Sequence, residues 1–300
     1  MKETRLCVAA HLVLLVSATQ GIQVPGGHGD LPASCITALA NGATFNVAES
    51  GYSIGCRNYT ATVSLPQVQI YAADVHMKSE TPLKSFTADW VVPPLPTDGP
   101  RFGRSQVVYF WPGFKALRPE MGYPVLQPVL QYGERGRSWE LQSWFVDAKD
   151  RRYPVVTAPP VSVEPGHTIT SSISQSSDGQ IWTVSGTDKD TGEDSTLHVA
   201  YAKSGDVDYE YAMLVNENVN VDTHCTYMPA TANVTFFNVT VNGRPSPPWE
   251  LRANCAGNPS CDCGNSATVL PTGDVVLGWQ THHYLLAYRQ DRATYDGVVL

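Results

Sequence analysis

Charge is scarce in this sequence. Of 300 residues only 16% are Asp, Glu, Lys or Arg, against about 25% in an ordinary soluble protein. That excludes a charge-rich disordered chain, a coiled coil and a long solvated helix. Positive charge is scarcer than negative, with 20 Lys and Arg against 28 Asp and Glu and a formal net charge of -8. No Lys/Arg cluster offsets this, so a basic nucleic-acid surface is excluded. Long apolar runs are lacking as well. Leu6–Ala18 holds 13 residues, short of the roughly 20 needed to span a bilayer. The chain has no G-x-S-x-G, H-E-x-x-H, P-loop or paired-glycine fingerprint. His167, His198, His224 and His282 lie far apart, with no Ser or Cys arrangement beside them.

What is abundant is turn chemistry and apolar alternation. The 24 Gly and 22 Pro punctuate a series of strand-like runs. Ser85–Val92, Gln106–Trp111, Val125–Tyr132, Trp139–Val146, Thr168–Ile173, Ile181–Ser185, Thr196–Tyr201, Tyr209–Val221 and Val234–Val241 are β-branched, aromatic or alternating. Turns such as Glu164-Pro-Gly166 and Ser177-Asp-Gly179 separate them. Such spacing predicts an all-β protein, a two-sheet antiparallel sandwich of jelly-roll type.

The amino terminus reads as an export signal. Lys2 and Arg5 precede the apolar run, and Ser17-Ala18-Thr19-Gln20-Gly21 supplies small residues for cleavage. The expected division is a signal peptide over 1–21, an extension or propeptide over 22–80, a sandwich over 81–243 and a cysteine-bearing extension over 244–300. A secreted, extracellular chain with no membrane span and a monomeric state is the corresponding expectation. Six cysteines follow the signal: Cys35, Cys56, Cys225, Cys255, Cys261 and Cys263. An even number in an exported chain points to disulfides. Cys35–Cys56 is the local candidate, and Cys225 is a candidate partner for the C-terminal cluster. The C-x5-C-x-C spacing departs from zinc-binding patterns, so no metal and no cofactor is expected. Sequons stand at Asn58, Asn233 and Asn238. Asp188, Asp190, Glu193 and Asp194 form an acidic turn whose spacing departs from a calcium loop.

An ordered set of segments between about 84 and 241 resembles the eqolisins, the glutamic peptidases. Phe86-Thr-Ala-Asp-Trp-Val-Val-Pro93, Val107–Phe114 (VVYFWPGF), Leu126-Gln127, Leu130-Gln131-Tyr-Gly133, Trp139–Phe145 (WELQSWF), Val161–Ile169 and Val234-Thr-Phe-Phe-Asn238 are similar to that family's strands, in the same order. The resemblance implies a concanavalin-like jelly roll and a secreted, acid-active endopeptidase that takes a polypeptide substrate. It implies a Gln that donates to a developing oxyanion. It also implies a Glu that serves a water as general base and the leaving amine as general acid. Gln127 and Gln131 are the Gln candidates. Four apart on a strand, they share a face. Gln127 is favoured by its distance to the Trp segment, and Gln131 fits by its following Tyr-Gly. Glu210 is nearest to the family's spacing. Glu217 is the one carboxylate among the odd positions of 209–221, which are otherwise apolar or aromatic, and burial raises the pKa of a carboxyl as a general acid requires. Trp111 and Trp144, with Gln131, are the substrate-contact candidates. Lys115 stands where the family carries an acidic residue. The alternative is an inactive sandwich that binds a peptide or a glycan through the same aromatic face.

Overall fold

A computed structural model describes residues 22–25, 29–31, 33–47, 70–98, 106–116, 124–133, 136–146, 155–202, 207–219, 221, 225–254 and 263–281. Residues 1–21, read above as an export signal, and Asn58, Cys56, Cys255 and Cys261 lie outside the described residues. Between its turns and loops, the regular structure of the described residues is strand apart from two single-turn 3-10 helices, Ala33–Cys35 and Cys225–Tyr227. It is an all-β sandwich of two nine-stranded sheets plus a two-stranded hairpin.

The hairpin is β1 (Ile22–Val24) with β2 (Gly29–Leu31). Next come β3 (Ile36–Ala38), β4 (Thr44–Asn46), β5 (Ile70–Lys78) and β6 (Ser85–Val91). β7 (Val107–Lys115), β8 (Val125–Tyr132), β9 (Trp139–Val146), β10 (Val155–Thr157) and β11 (Val161–Val163) follow. The rest are β12 (Thr168–Gln175), β13 (Ile181–Asp188), β14 (Asp194–Ala200), β15 (Tyr211–Val219), β16 (Asn233–Val241), β17 (Arg244–Pro245), β18 (Glu250–Asn254), β19 (Ser266–Val269) and β20 (Val275–Gly278). One sheet runs β18-β5-β15-β7-β8-β9-β10-β3, with β11 on β9. The other runs β19-β20-β16-β6-β12-β13-β14-β4, with β17 on β16. Strands from residues 22–80 and 244–300 are thus built into both sheets. β3 and β4 close one side of each sheet, by parallel pairing, and β18 and β19 close the other.

Alternation explains the second sheet. β12 turns Ile169, Ser171 and Ile173 inward, and β13 turns Trp182, Val184, Gly186 and Asp188 inward, with partly exposed or exposed residues between. The core they meet is aromatic: Phe86, Phe110, Phe114, Trp139, Phe145, Trp182 and Tyr209 are all buried. Gly186 is glycine because Leu141 of the facing sheet lies where its Cβ would be, at 2.8 Å. A polar staple joins the sheets there. The Ser143 N–H donates to Ser195 Oγ (2.9 Å) and the Ser143 hydroxyl donates to the Ser195 carbonyl (2.6 Å). Cys225 is joined to Cys263, as the C-terminal candidate pairing had it, and Cys35 is disulfide-bonded too.

The first sheet does not alternate. β8 is buried at every position, and β7 at every position but the last. Its two faces belong to two separate clusters. Val108, Phe110, Phe114, Leu126, Leu130 and Leu214 enter the core between the sheets. Val107, Tyr109, Trp111, Val129, Trp144, Val215 and Val219 form the second cluster on the far face. Strands buried on both sides read as continuous apolar runs, which is how VVYFW reads.

Two prolines sit inside this sheet. Phe110 pairs with Leu130 and Phe114 with Leu126, so Pro112 falls opposite Pro128. Neither has an N–H to give, and the β7–β8 pairing is interrupted over that stretch while both strands continue.

Candidate functional site

Register sets the geometry of the far face. β15 pairs with β7 so that Glu217 meets Tyr109, Val215 meets Trp111 and Met213 meets Gly113. β7 pairs with β8 so that Tyr109 meets Gln131. β8 pairs with β9 so that Gln131 meets Glu140 and Gln127 meets Trp144. Glu217, Tyr109, Gln131 and Glu140 therefore form one row across four strands. Glu217 and Gln131 stand two strands apart, about 10 Å between Cα atoms, with Tyr109 between them.

Glu217 is buried, and the indole N–H of Trp111 donates to its Oε2 at 3.1 Å. That indole leans back along its own strand. A Cβ on Gly113 would lie 2.8 Å from its six-membered ring, so a side chain at 113 would push Trp111 off Glu217. Gln131 is equally buried. Its Nε2 donates to Gln142 Oε1 (3.0 Å) and to Glu140 Oε2 (3.2 Å), and its Oε1 has no partner. Gln142 in turn donates to the Ala158 carbonyl (2.7 Å). Glu140 and Gln142 went unnoticed in the sequence, although they share the parity of Trp144 in WELQSWF. Tyr109 gave no signal beyond its alternation.

The remaining candidates fall elsewhere. Gln127 shares the face but lies four residues along β8 from the row, about 17 Å from Glu217 between Cα atoms. Its spacing to the Trp segment favoured it over Gln131; the cross-strand register puts Gln131 in the row of Glu217, two strands away with Tyr109 between them. Glu210 precedes β15, seven residues from Glu217 and about 14 Å from Gln127 between Cα atoms, and its backbone is bonded to Lys115 and Ser79. Lys115 lies six residues beyond Tyr109, about 20 Å along the strand.

Trp111 and Trp144 are the aromatic substrate-contact candidates. They are 3% and 2% exposed. Part of what covers the face is the chain's own start. Val24 is 1% exposed and belongs to the same cluster as Tyr109, Trp111 and Trp144, with Ile22, Leu31 and Ile36 packed against it. A hairpin of two short strands has little stability of its own, so its place depends on this apolar seat. Val24→Asp removes about 1.5–3 kcal/mol of burial. Limited proteolysis between residues 25 and 31 is expected to accelerate in that variant. An unchanged rate would mean that the hairpin is held by something else.

Two polar knots lie on the other sheet. Asp89 accepts from Lys189 Nζ and from Asn238 Nδ2, each at 2.9 Å. Burial pushes its carboxyl up, but these hydrogen bonds outweigh it and hold it below the usual value. The Asn238 amide that a glycan would use is therefore engaged with Asp89, at a bulge where Asn238 has φ +52°. Asn233 is exposed, its amide donating to the Thr231 carbonyl at 3.3 Å.

In the acidic turn, His167 Nδ1 lies 2.8 Å from Asp188 Oδ2, and Asp188 and Asp190 accept backbone N–H groups. The ligand atoms of His167, Asp188 and Asp190 lie within 4.8 Å of one another, and each carboxylate is already hydrogen-bonded. Burial pushes Asp188 up, yet the bond from His167 and the Asp190 N–H keep it below 3.8. His167 is raised above 6.5, chiefly by that hydrogen bond. The raised His167 contributes fully below pH 6.5, and its contribution fades as pH rises through its folded pKa. The lowered Asp188 contributes above pH 3.8 and fades as pH falls through its own. The melting-temperature gap between the natural chain and His167→Gln is therefore expected to be widest between pH 3.8 and 6.5. A gap that is flat from pH 3 to 9 would contradict this coupling.

No helix among the described residues is long and apolar enough to cross a membrane. No protein-family model matches the chain, and no curated protein does. Among solved structures it is similar to a Scytalido-glutamic peptidase holding a peptide-based transition-state analogue, at 14% identity and a TM-score of 0.48, over 71% of this chain and 99% of that one. It is similar to SCP-B, a member of the eqolisin family of peptidases in complex with the tripeptide Ala-Ile-His, at 13% identity and a TM-score of 0.44, over 71% and 99%. A CBM2 module of an evolved Dit from Lactobacillus casei BL23 phage J-1 matches at 9% and 0.33, over 49% of this chain and 60% of that one.

Proposed function

We propose that the chain is an exported, monomeric, acid-active endopeptidase that cuts polypeptides with Glu217 and Gln131. The observation that supports this is the cross-strand row: a buried carboxylate, tethered by Trp111, and a buried carboxamide on the same side of the sheet, two strands apart with Tyr109 between them. In the reaction Glu217 takes a proton from a water, whose oxygen attacks the carbonyl carbon of the scissile amide. The Nε2 of Gln131 donates to the oxygen that becomes negative. Its longer bond, to Glu140, is the one that the substrate oxygen replaces. Glu217 then hands its proton to the departing amine, and the C–N bond breaks. An amide does not titrate, so Gln131 is available at low pH, where carboxyl chemistry operates. No cofactor enters the scheme.

The other reading is a protein that binds a peptide or a glycan on this face without cutting it. The burial of Val24 against the face supports it, because a surface that accepts the chain's own hairpin accepts apolar segments. The two are separated by incubating the purified protein with a denatured protein from pH 2 to 7 and following fragments by mass spectrometry. Cleavage that peaks in acid and falls about 100-fold or more in Gln131→Ala supports the peptidase. No cleavage at any pH, or cleavage indifferent to both Gln131→Ala and Glu217→Gln, overturns it.

A further inference from the structure

The far face is closed to any ligand as it stands. Tyr109 is 0% exposed, and Gln131 and Glu217 are 1% each. Whatever is to be held there, a covering element must first move away. Among the described residues, only the β1–β2 hairpin adds side chains to the far-face cluster from outside the sheet: Val24, with Ile22 and Leu31 beside it. That hairpin is also weakly tied. Its strands pair over three residues with each other and with neither large sheet. The chain changes character just after it. Cys35 is buried and disulfide-bonded, β3 pairs with β10, and β4 pairs with β14. The stretch from Cys35 to Asn46 is thus fastened into the sandwich, whereas the hairpin rests on it.

We propose that the hairpin of residues 22–31 is an autoinhibitory strap, which holds the far face shut until it is cut from the body in the link between Leu31 and Ala33. The expected extension over 22–80 then divides after Leu31. The hairpin is the removable piece, and β3, β4 and β5 stay with the sandwich as paired strands. Tethering explains how so small a contact suffices. A joined segment acts at an effective concentration of about 1 mM. The same segment set free in a micromolar solution is about 10³-fold more dilute, so it leaves the face. The cut consumes one water, breaks one peptide bond and leaves both large sheets intact. The strap rests on the far face being where the ligand is held, as read above, and it needs binding there, not hydrolysis.

The test inserts the recognition sequence of a site-specific protease between Pro32 and Ala33 of the full-length chain. Uncut protein is compared with protein cut and passed through gel filtration. Cutting is expected to lower KM for a denatured protein in acid by about 10-fold or more, because the binding-competent form is no longer a minor state. A synthetic peptide of residues 22–32, added back at about 1 mM, is expected to reverse most of that gain. A second readout does not depend on hydrolysis. Trp111 and Trp144, now 3% and 2% exposed, are two of the seven tryptophans. Acrylamide quenching of the emission should therefore rise on cutting and fall when the peptide returns. Val24→Asp, left uncut, should move both readouts in the same direction by less. If no preparation cleaves anything, the peptidase reading has failed on its own, and the quenching decides the strap. Quenching unchanged by the cut, a cut chain that loses its β-sheet circular dichroism, or substrate cleaved with the same KM before and after cutting overturns it.

Discussion

Glu217→Gln is expected to lower kcat on peptide substrates by at least about 10³-fold, since one carboxyl serves as both base and acid and each role is worth about 10²–10⁴. The substitution is nearly isosteric. The new side chain retains an oxygen to accept from Trp111, which now reaches Oε2 at 3.1 Å, so packing on the far face is retained. What disappears is the ability to take a proton from water and return it to the amine. KM should change little, because the carboxylate acts on the water and the leaving group. Activity is read at the acid optimum of the natural chain, with circular dichroism and a melting curve beside it. A well-folded variant that keeps more than about a tenth of the natural kcat would make Glu217 a structural residue, because no general acid–base role is that small.

Gly133→Ala carries the largest expected loss of stability. Gly133 ends β8 two residues after Gln131, at φ +95°, and a Cβ there would sit 2.1 Å from the carbonyl oxygen of Gln106. The neighbour is backbone and has no rotamer to escape into. Positive φ alone costs an alanine about 1–2 kcal/mol. With the collision added, the cost is about 3 kcal/mol or more, or a fall in melting temperature of about 6–12 °C. Gly192 is the control. It has φ +79° with nothing within 4 Å of its would-be Cβ, so Gly192→Ala isolates the conformational part. Equal losses in the two variants would show that the approach of Gln106 is not a constraint. Because the clash lies where β7 and β8 begin to pair, Gly133→Ala should also move Gln131 relative to Glu217. Activity should then fall at temperatures where the variant is fully folded.

The strands of the sandwich were legible where β-branched, aromatic or alternating residues ran between turn signals. Val125–Tyr132 and Trp139–Val146 occupy the expected bounds. Glu217 was visible for the same reason, since the two-residue period of β15 puts it among Met213, Val215 and Val219. β5 was only partly legible, because Ile-Tyr-Ala-Ala-Asp-Val-His-Met-Lys has no sustained alternation; pairing to β15 and β18 on either side holds it. The choice between Gln127 and Gln131 is invisible to any local pattern. Both have the same parity on the same strand, and only the register of β15 against β7 and of β7 against β8 separates them. The cover over the far face had a trace in the sequence, the unbroken apolar reading of β7, but nothing local said that residues 22–24 would fill it.

The four edges of the two sheets are short: three residues each in β3 and β4, five in β18 and four in β19. A chain this poor in charge has few lysines to spare as guards against edge-to-edge polymerisation, and brevity of the outermost strand is the other defence. β3 and β4 belong to one stretch of chain, 36–46, that reaches the rim of both sheets. A single protease nick between Ala38 and Thr44 would separate these two stops in one event. Where both stops then detach, β10 and the seven-residue β14 become the outermost strands and open templates for self-association.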